Sequence, residues 1–129
     1  MEMEIVFPGD QRVDAVMGNM VVTTNQDGSA PAPFGLFLAS IGTCAGIYVL
    51  SFCQHRGLPT EGIRIVQRMH MNPFTRMLDR VDLDIVVPPD FPEKYYAALI
   101  RAADQCAVKK HMEQPPAFNV RTRVEAKVA

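Results

Sequence analysis

The sequence has little net charge and few cysteines, and both shortages narrow the range of functions. Its 129 residues carry 13 Lys plus Arg against 14 Asp plus Glu, a formal net charge of −1. Broad capture of nucleic acid or of an anionic membrane needs a basic surface, so the charge balance argues against both partners. With 48% hydrophobic residues, the chain fits a single globular domain, residues 1–129, whose core needs no disulfides.

The cysteines also lack the pattern of a metal site. Cys44, Cys53 and Cys106 show no C-x-x-C spacing, and the three histidines lie far from them in sequence, so no metal is expected. Residues 1–5 are acidic where a secretory signal is basic, which predicts a cytoplasmic location. In that compartment cysteines are expected as thiols, and an odd number excludes complete intrachain pairing. They are either packing residues or redox groups.

No charged residue occurs from position 34 to position 53, a length that also suits a membrane helix. Gly35, Gly42 and Gly46 make the stretch only moderately apolar, and the rest of the chain is amphipathic. The stretch is therefore predicted to be a buried central helix, which a domain of this size hides by dimerising. A membrane-anchored protein is the alternative, and it predicts that the chain sediments with membranes.

Alternation of apolar and polar side chains predicts strands on both sides of this helix. Residues 12–17 and 20–24 are predicted to form a hairpin, with its turn at Gly18. Residues 63–71 and 80–87 are predicted to form a second antiparallel hairpin with one solvated face.

A second, amphipathic helix is predicted to begin with Asp90 as its cap and to extend through a segment that includes Cys106. Residues 118–127 alternate again and are predicted to form a final strand after a Pro-Pro stop. Strands in runs with two helices predict an α+β fold with a mainly antiparallel sheet.

Cys44 and Cys106 could carry chemistry, although the ordinary role of an unpaired cysteine is that of a small core residue. Cys53 is nine residues after Cys44, which places it on the opposite side of the helix and about 13 Å along the axis. These two cannot be bridged. Cys106 reaches Cys44 only through tertiary packing, and the residues alone are compatible with a redox pair and equally with two packing residues.

Three segments, residues 33–45, 56–62 and 102–108, carry a family resemblance that extends over nearly the whole chain. Together they resemble the osmotically induced protein C and organic hydroperoxide resistance (OsmC/Ohr) family. The resemblance implies an intertwined α+β homodimer in which each subunit packs a long central helix against strands of its partner.

The resemblance also implies thiol-dependent reduction of organic hydroperoxides and a role in the oxidative stress response. Cys44 matches the family's peroxidatic cysteine, and Cys106 matches its resolving cysteine. A Cys44 thiolate would attack the O–O bond, and the resulting sulfenic acid would condense with Cys106 to a disulfide. A small apolar hydroperoxide is the expected substrate, an external dithiol the expected reductant, and no cofactor is implied.

Burial among apolar groups raises the pKa of a thiol, so a Cys44 thiolate is expected to need a nearby cation. Arg12 matches the arginine that the family supplies for this purpose. The glutamate that orients this arginine in the family is absent, because Phe34 and Gly35 stand at its position. Three acidic residues are candidates to replace it: Asp10, Asp14 and Glu61.

The missing glutamate favours a second interpretation of the sequence. Displacement of a catalytic group by about an ångström can cost about a hundredfold in rate, so loss of the anchor weakens the case for catalysis. The alternative is a non-catalytic dimer of the same fold whose cleft binds a small hydrophobic molecule.

Overall fold

The computed structural model describes residues 1–126 and contains two antiparallel sheets and three α-helices. In chain order the elements are β1 (Glu4–Gly9), β2 (Arg12–Met17), β3 (Met20–Asn25), α1 (Pro33–His55), β4 (Arg64–Met71), β5 (Leu78–Val86), α2 (Tyr96–Ala103) and α3 (Ala107–Glu113). A short 3-10 turn, Glu93–Tyr95, precedes α2. The predicted α+β class with antiparallel sheets is confirmed.

The first sheet is a meander of β1, β2 and β3 with β2 in the centre. Met17 pairs with Met20 across the predicted turn, where Gly18 adopts a φ of +59° that a residue without a Cβ tolerates easily. Among the described residues, this sheet makes no extensive contact with the helices or with the second sheet. One chain therefore does not cover its faces with a helical layer.

Only one side of the apolar helix α1 is buried within the chain. Ile41, Ala45, Val49 and Cys53 recur at intervals of four residues and form the buried side. The opposite side faces solvent, and Ile47 is 61% exposed there. By length and composition α1 is also able to cross a membrane, a property that core helices of soluble proteins share. The sequence predicts that α1 is buried, and within one chain this holds for one side of the helix.

The core lies between α1, α2 and the second sheet. Val49 and Cys53 of α1 pack against Leu99 of α2 and against Phe91 in the preceding loop. Ile65 of β4 lies at the edge of this cluster. Full burial of a large apolar side chain contributes about 1.5–3 kcal/mol, so this cluster holds α1 and α2 on the sheet.

The second sheet consists of β4 and β5, joined as the predicted hairpin. Its exposed face carries ion pairs between Arg68 and Asp84 and between His70 and Asp82, the latter at 2.8 Å. The hydrogen bond from His70 lowers the pKa of Asp82. Because exposed ion pairs contribute about 0–1 kcal/mol, this face adds charge and solubility more than stability.

The prediction of one continuous helix from Asp90 to Cys106 is wrong. The 3-10 turn, α2 and α3 follow one another, and the chain leaves α2 after Ala103. Asp90 caps no helix, since neither the 3-10 turn nor α2 has a side-chain cap. The alanine-rich sequence around residues 102–107 hides this break, because alanine favours a continuous helix.

The predicted final strand is also absent from residues 118–126, and Lys127, its last residue, lies outside the described residues. Phe118 is 82% exposed and Val120 is 96% exposed. A strand needs a hydrogen-bonded neighbour, and β4 and β5 pair only with each other within residues 1–126. The alternating pattern therefore has no partner in a single chain.

A side chain of β4 fixes the turn of α1 just before Cys44. The Gln67 Nε2 group donates to the Leu38 carbonyl oxygen at 2.8 Å. Gly42 makes room for this side chain, because a Cβ there would overlap the Gln67 Oε1 atom. The hydrogen bond thus ties β4 to the middle of α1.

The substitutions Gly42→Ala and Gly46→Ala test this contact as a matched pair. At position 46 a Cβ meets only Ile65 Cδ1 at 3.8 Å, an ordinary contact. Each alanine gains about 0.5–1 kcal/mol over glycine in a helix, but only Gly42→Ala loses the Gln67–Leu38 hydrogen bond, worth about 0.5–1.5 kcal/mol. We expect the free energy of unfolding in urea to be about 1 kcal/mol lower for Gly42→Ala than for Gly46→Ala. Equal values would contradict the contact, and a Gln67→Ala background should remove the difference.

Candidate active site

The fold brings Cys44 and Cys106 together although they belong to different elements. Cys44 lies in the middle of α1 and is half-buried, whereas Cys106 immediately precedes α3 and is 2% exposed. Contact between α1 and α3 makes the two side chains neighbours. Both cysteines are free thiols, so the site is in its reduced form.

Cys106 is the N-cap residue of α3. Its sulfur accepts a hydrogen bond from the Lys109 backbone N–H at 3.4 Å, and its S–H group lies 3.8 Å from the Ile41 carbonyl oxygen. An N-cap acceptor satisfies an amide that has no partner inside the helix. The side chain therefore both begins α3 and fastens it to α1.

The pKa of Cys44 lies below its ordinary value, and the backbone N–H of Val108 makes the largest contribution. Burial acts against it, while hydrogen bonds from the Cys106 thiol and from the Ala107 backbone N–H lower the pKa further. The first amides of a helix are unpartnered donors, so they stabilise the negative charge of a thiolate. The thiolate here is thus supported by amides and a thiol, where the sequence predicted a cation.

The pKa of Cys106 changes in the opposite direction. Burial raises it most, the Lys109 backbone N–H opposes that rise, and the neighbouring Cys44 raises it again. Cys44 is accordingly the residue that ionises first, and Cys106 keeps its proton. A two-cysteine reduction needs this arrangement, in which one sulfur is an attacking thiolate and the other remains a protonated thiol.

The third cysteine is separate from this pair. Cys53 is buried in the core beside Val49 and Leu99, and burial raises its pKa. A buried thiol with a raised pKa is unreactive, so Cys53 acts as a small apolar core residue.

Arg12 lies in the first sheet, where it forms a two-pronged ion pair with Asp14. The Arg12 Nε–Asp14 Oδ1 distance is 3.2 Å, and the Arg12 Nη2–Asp14 Oδ2 distance is 2.8 Å. Asp14 is 3% exposed, which fixes the guanidinium on its strand. Among the three acidic candidates, Asp14 is the one that holds Arg12. Within residues 1–126 the pKa of Cys44 owes nothing to Arg12, so its role at the thiol stays a prediction.

The position of the family's glutamate is occupied by the start of α1. Phe34 stacks on Phe37 with ring centroids 5.6 Å apart, and both side chains are exposed. Phe37 lies two helical turns before Cys44, on the same side of α1. The approach along α1 to the thiol is therefore apolar and carries no carboxylate.

A largely apolar cavity of about 830 Å³ lies between the second sheet and the three helices. Cys106 forms part of its wall, together with Ile41 of α1 and Leu99 of α2. Lys109 and Met112 close it on the α3 side. The volume suits a small apolar molecule.

A family model described as OsmC-like protein matches residues 26–121, about three quarters of the chain. The chain belongs to the OsmC-like protein family. This match confirms the resemblance identified from the sequence. No curated protein sequence matches this OsmC-like chain.

Solved structures share the fold of this OsmC-like protein at low sequence identity. An osmotic stress induced and detoxification response protein of Psychrobacter arcticus 273-4 has a TM-score of 0.69 and 19% identity, covering 84% of this chain and 85% of its own. An OsmC like protein of Mycoplasma pneumoniae has a TM-score of 0.62 and 12% identity, covering 88% and 87%. The organic hydroperoxide resistance protein OhrB of Bacillus subtilis has a TM-score of 0.50 and 13% identity, covering 86% and 90%.

The sequence did not reveal the groups that act most strongly on Cys44 in this OsmC-like protein. The largest effect is that of the backbone amide of Val108, and no side-chain motif marks a backbone donor. A helix start at residue 107 would have indicated them, but Cys106 is not among the usual N-cap residues. The continuous alanine-rich pattern concealed that start.

Alkylation of Cys44 is expected to begin at a lower pH in the folded protein than in the urea-unfolded chain. The thiolate is the reactive form, so the rate rises as the pH passes through the pKa, and a lowered pKa moves this rise to lower pH. Iodoacetamide labelling followed by mass spectrometry of the Cys44 peptide measures both profiles. A folded midpoint at or above the unfolded one would contradict the arrangement of the site.

The substitution Ala107→Pro removes one amide donor while keeping α3. Proline is favoured at the first helical position, and Cys106 has a φ of −47° and a ψ of 119°, the extended conformation that a following proline requires. We expect the alkylation midpoint of Cys44 to move to higher pH, because the Ala107 N–H is lost. Ala107→Ser keeps that N–H and is the matched control, with an unchanged midpoint. An equal midpoint in both variants would argue against the amide's contribution.

Proposed function

We propose that this OsmC-like protein reduces organic hydroperoxides through Cys44 and Cys106. The observation that carries the proposal is the placement of Cys44 beside Cys106 and the start of α3, where the pKa of Cys44 is lowered and that of Cys106 is raised. An ionised sulfur next to a protonated one has both components of a two-cysteine reduction cycle. The fold likeness to a B. subtilis protein named for organic hydroperoxide resistance supports the same reaction.

The proposed cycle begins with attack of the Cys44 thiolate on the outer oxygen of the hydroperoxide. The O–O bond breaks, the alkoxide takes up a proton to leave as an alcohol, and Cys44 becomes a sulfenic acid. The Cys106 thiol then forms an S–S bond with Cys44, and its proton leaves with the hydroxyl group as water. An external dithiol returns two electrons by thiol–disulfide exchange, so no cofactor takes part.

The proposal includes a homodimer in the cytoplasm. Three surfaces of the single chain support a second copy: the uncovered first sheet, the exposed side of α1 and the unpaired residues 118–126. Each is an apolar or strand-like surface of the kind that association buries. In this dimer Arg12, anchored by Asp14, is the proposed cation at Cys44.

A second candidate function is the binding of a small hydrophobic molecule without chemistry. The cavity of about 830 Å³ favours it, because the cavity is lined mostly by apolar side chains and Cys44 is not one of them. The two candidates differ in what happens to the thiols when an apolar hydroperoxide is added. A binder retains all three thiols, whereas a reductase loses two.

Cumene hydroperoxide should therefore lower the number of free thiols from three to one per chain. The remaining thiol is Cys53, since its burial and raised pKa protect it. In the Cys106→Ser variant we expect a Cys44 sulfenic acid, trapped by dimedone and detected by mass spectrometry. The Cys53→Ser variant is the matched control and should still lose two thiols.

Retention of all three thiols at a stoichiometric dose of hydroperoxide would reject the reductase proposal. Displacement of an environment-sensitive dye from the cavity by an apolar alcohol would then support the binder. Size-exclusion chromatography with light scattering tests the homodimer independently, and a monomer at micromolar concentration would contradict that part of the proposal.

A further inference from the structure

The reduction cycle leaves a question of access at its last step. A reducing dithiol has to approach one sulfur of the disulfide along the S–S axis. Cys106 is 2% exposed, and α3 begins directly at this residue. In the closed arrangement an external protein or dithiol has little room to reach that sulfur.

Helix α3 is held by the Cys106 side chain and by an ion pair between Lys109 Nζ and Asp104 Oδ1 at 3.0 Å. It has seven residues, and none of them is buried. The Cys106 sulfur accepts the Lys109 N–H at 3.4 Å, and the Cys106 S–H group is directed at the Ile41 carbonyl of α1 at 3.8 Å. A helix of this length is not stable without such contacts.

Oxidation changes both contacts of the Cys106 sulfur. A Cys44–Cys106 disulfide has no S–H to donate to Ile41, and it carries no negative charge to attract the amides of α3. Its sulfurs are weak acceptors, and the dihedral angle of a disulfide redirects the Cys106 sulfur towards Cys44 and away from the Lys109 N–H. The S–S bond keeps residue 106 attached to α1, but the cap of α3 is lost, so residues 107–113 are free to swing away.

We propose that α3 is a lid that the reduced thiols hold closed and that the Cys44–Cys106 disulfide releases. Opening uncovers Cys106 for the reductant and also widens the cavity, because Lys109 and Met112 of α3 form one of its walls. Within one chain, residues 115–126 after α3 have no regular structure and are exposed. The purpose of the lid, access for the reductant, rests on the proposed function. Its opening when the disulfide forms does not.

Hydrogen exchange of the α3 amides tests the lid. The oxidised sample is prepared in two ways: with cumene hydroperoxide, and with diamide, which takes two electrons from the thiol pair, becomes a hydrazine and needs no peroxidase activity. All samples carry Cys53→Ser, so that only one disulfide forms. We expect the amides of residues 109–113 to exchange about tenfold faster or more in the disulfide form, while those of α2 are unchanged.

Two variants separate the cap from the disulfide. Cys106→Ser keeps a good N-cap and forms no disulfide, so the exchange of α3 should be slow with and without diamide. Cys106→Ala loses the cap, so α3 should exchange faster even in the absence of oxidant. Slow exchange in the disulfide form, or failure of diamide to form the disulfide, would overturn the lid.

The outcomes also distinguish the lid from the proposed reaction. Release of α3 by diamide but no thiol loss with cumene hydroperoxide would support the lid and reject the reductase. Thiol loss with cumene hydroperoxide and no change in α3 exchange would support the reductase and reject the lid.

Discussion

The candidate site depends on one interaction, the contact between two sulfur atoms and the first turn of a short helix. Cys44 alone would be a half-buried thiol on an apolar helix, with a pKa that burial raises. The amides of Ala107 and Val108 reverse that direction, and Cys106 adds a donor while it caps α3. A single junction between α1 and α3 thus combines helix initiation, tertiary contact and thiol activation.

The sequence predicts most of the fold because the relevant signals are local. The hairpin at Gly18 and the long apolar helix follow from turn chemistry and from hydrophobic periodicity, and both are present in the structure. The break before α3 was missed because the surrounding alanines favour a helix whether or not tertiary contacts interrupt it. The strand predicted at residues 118–127 needs a neighbour, and residues 1–126 of one chain provide none for the part that the structure describes.

The resemblance singled out Cys44 and Cys106, which the fold makes neighbours, but the groups around Cys44 could not be predicted from the sequence. The pairing of Cys44 with Cys106 followed from a family resemblance, since nothing in their spacing requires contact. The carboxylate that holds Arg12 is close in sequence, at Asp14, two residues along the same strand. Asp14 is one of the three candidates that the sequence offers, while at the position of the family's glutamate Phe34 stacks on Phe37. A backbone donor cannot be recognised from side-chain identity. The Val108 N–H, which lowers the pKa of Cys44 most, could therefore not be predicted from the sequence.

The double role of Cys106 has a consequence for how chemistry and architecture are linked in such proteins. Serine is a preferred N-cap residue, so replacing the Cys106 sulfur with oxygen would keep the cap of α3 while removing the proposed resolving thiol. Descendants that have lost electron transfer would then be as well folded as those that retain it. The fold is accordingly a weak guide to activity among such chains. The identity of the residue before α3, cysteine or serine, is a better one.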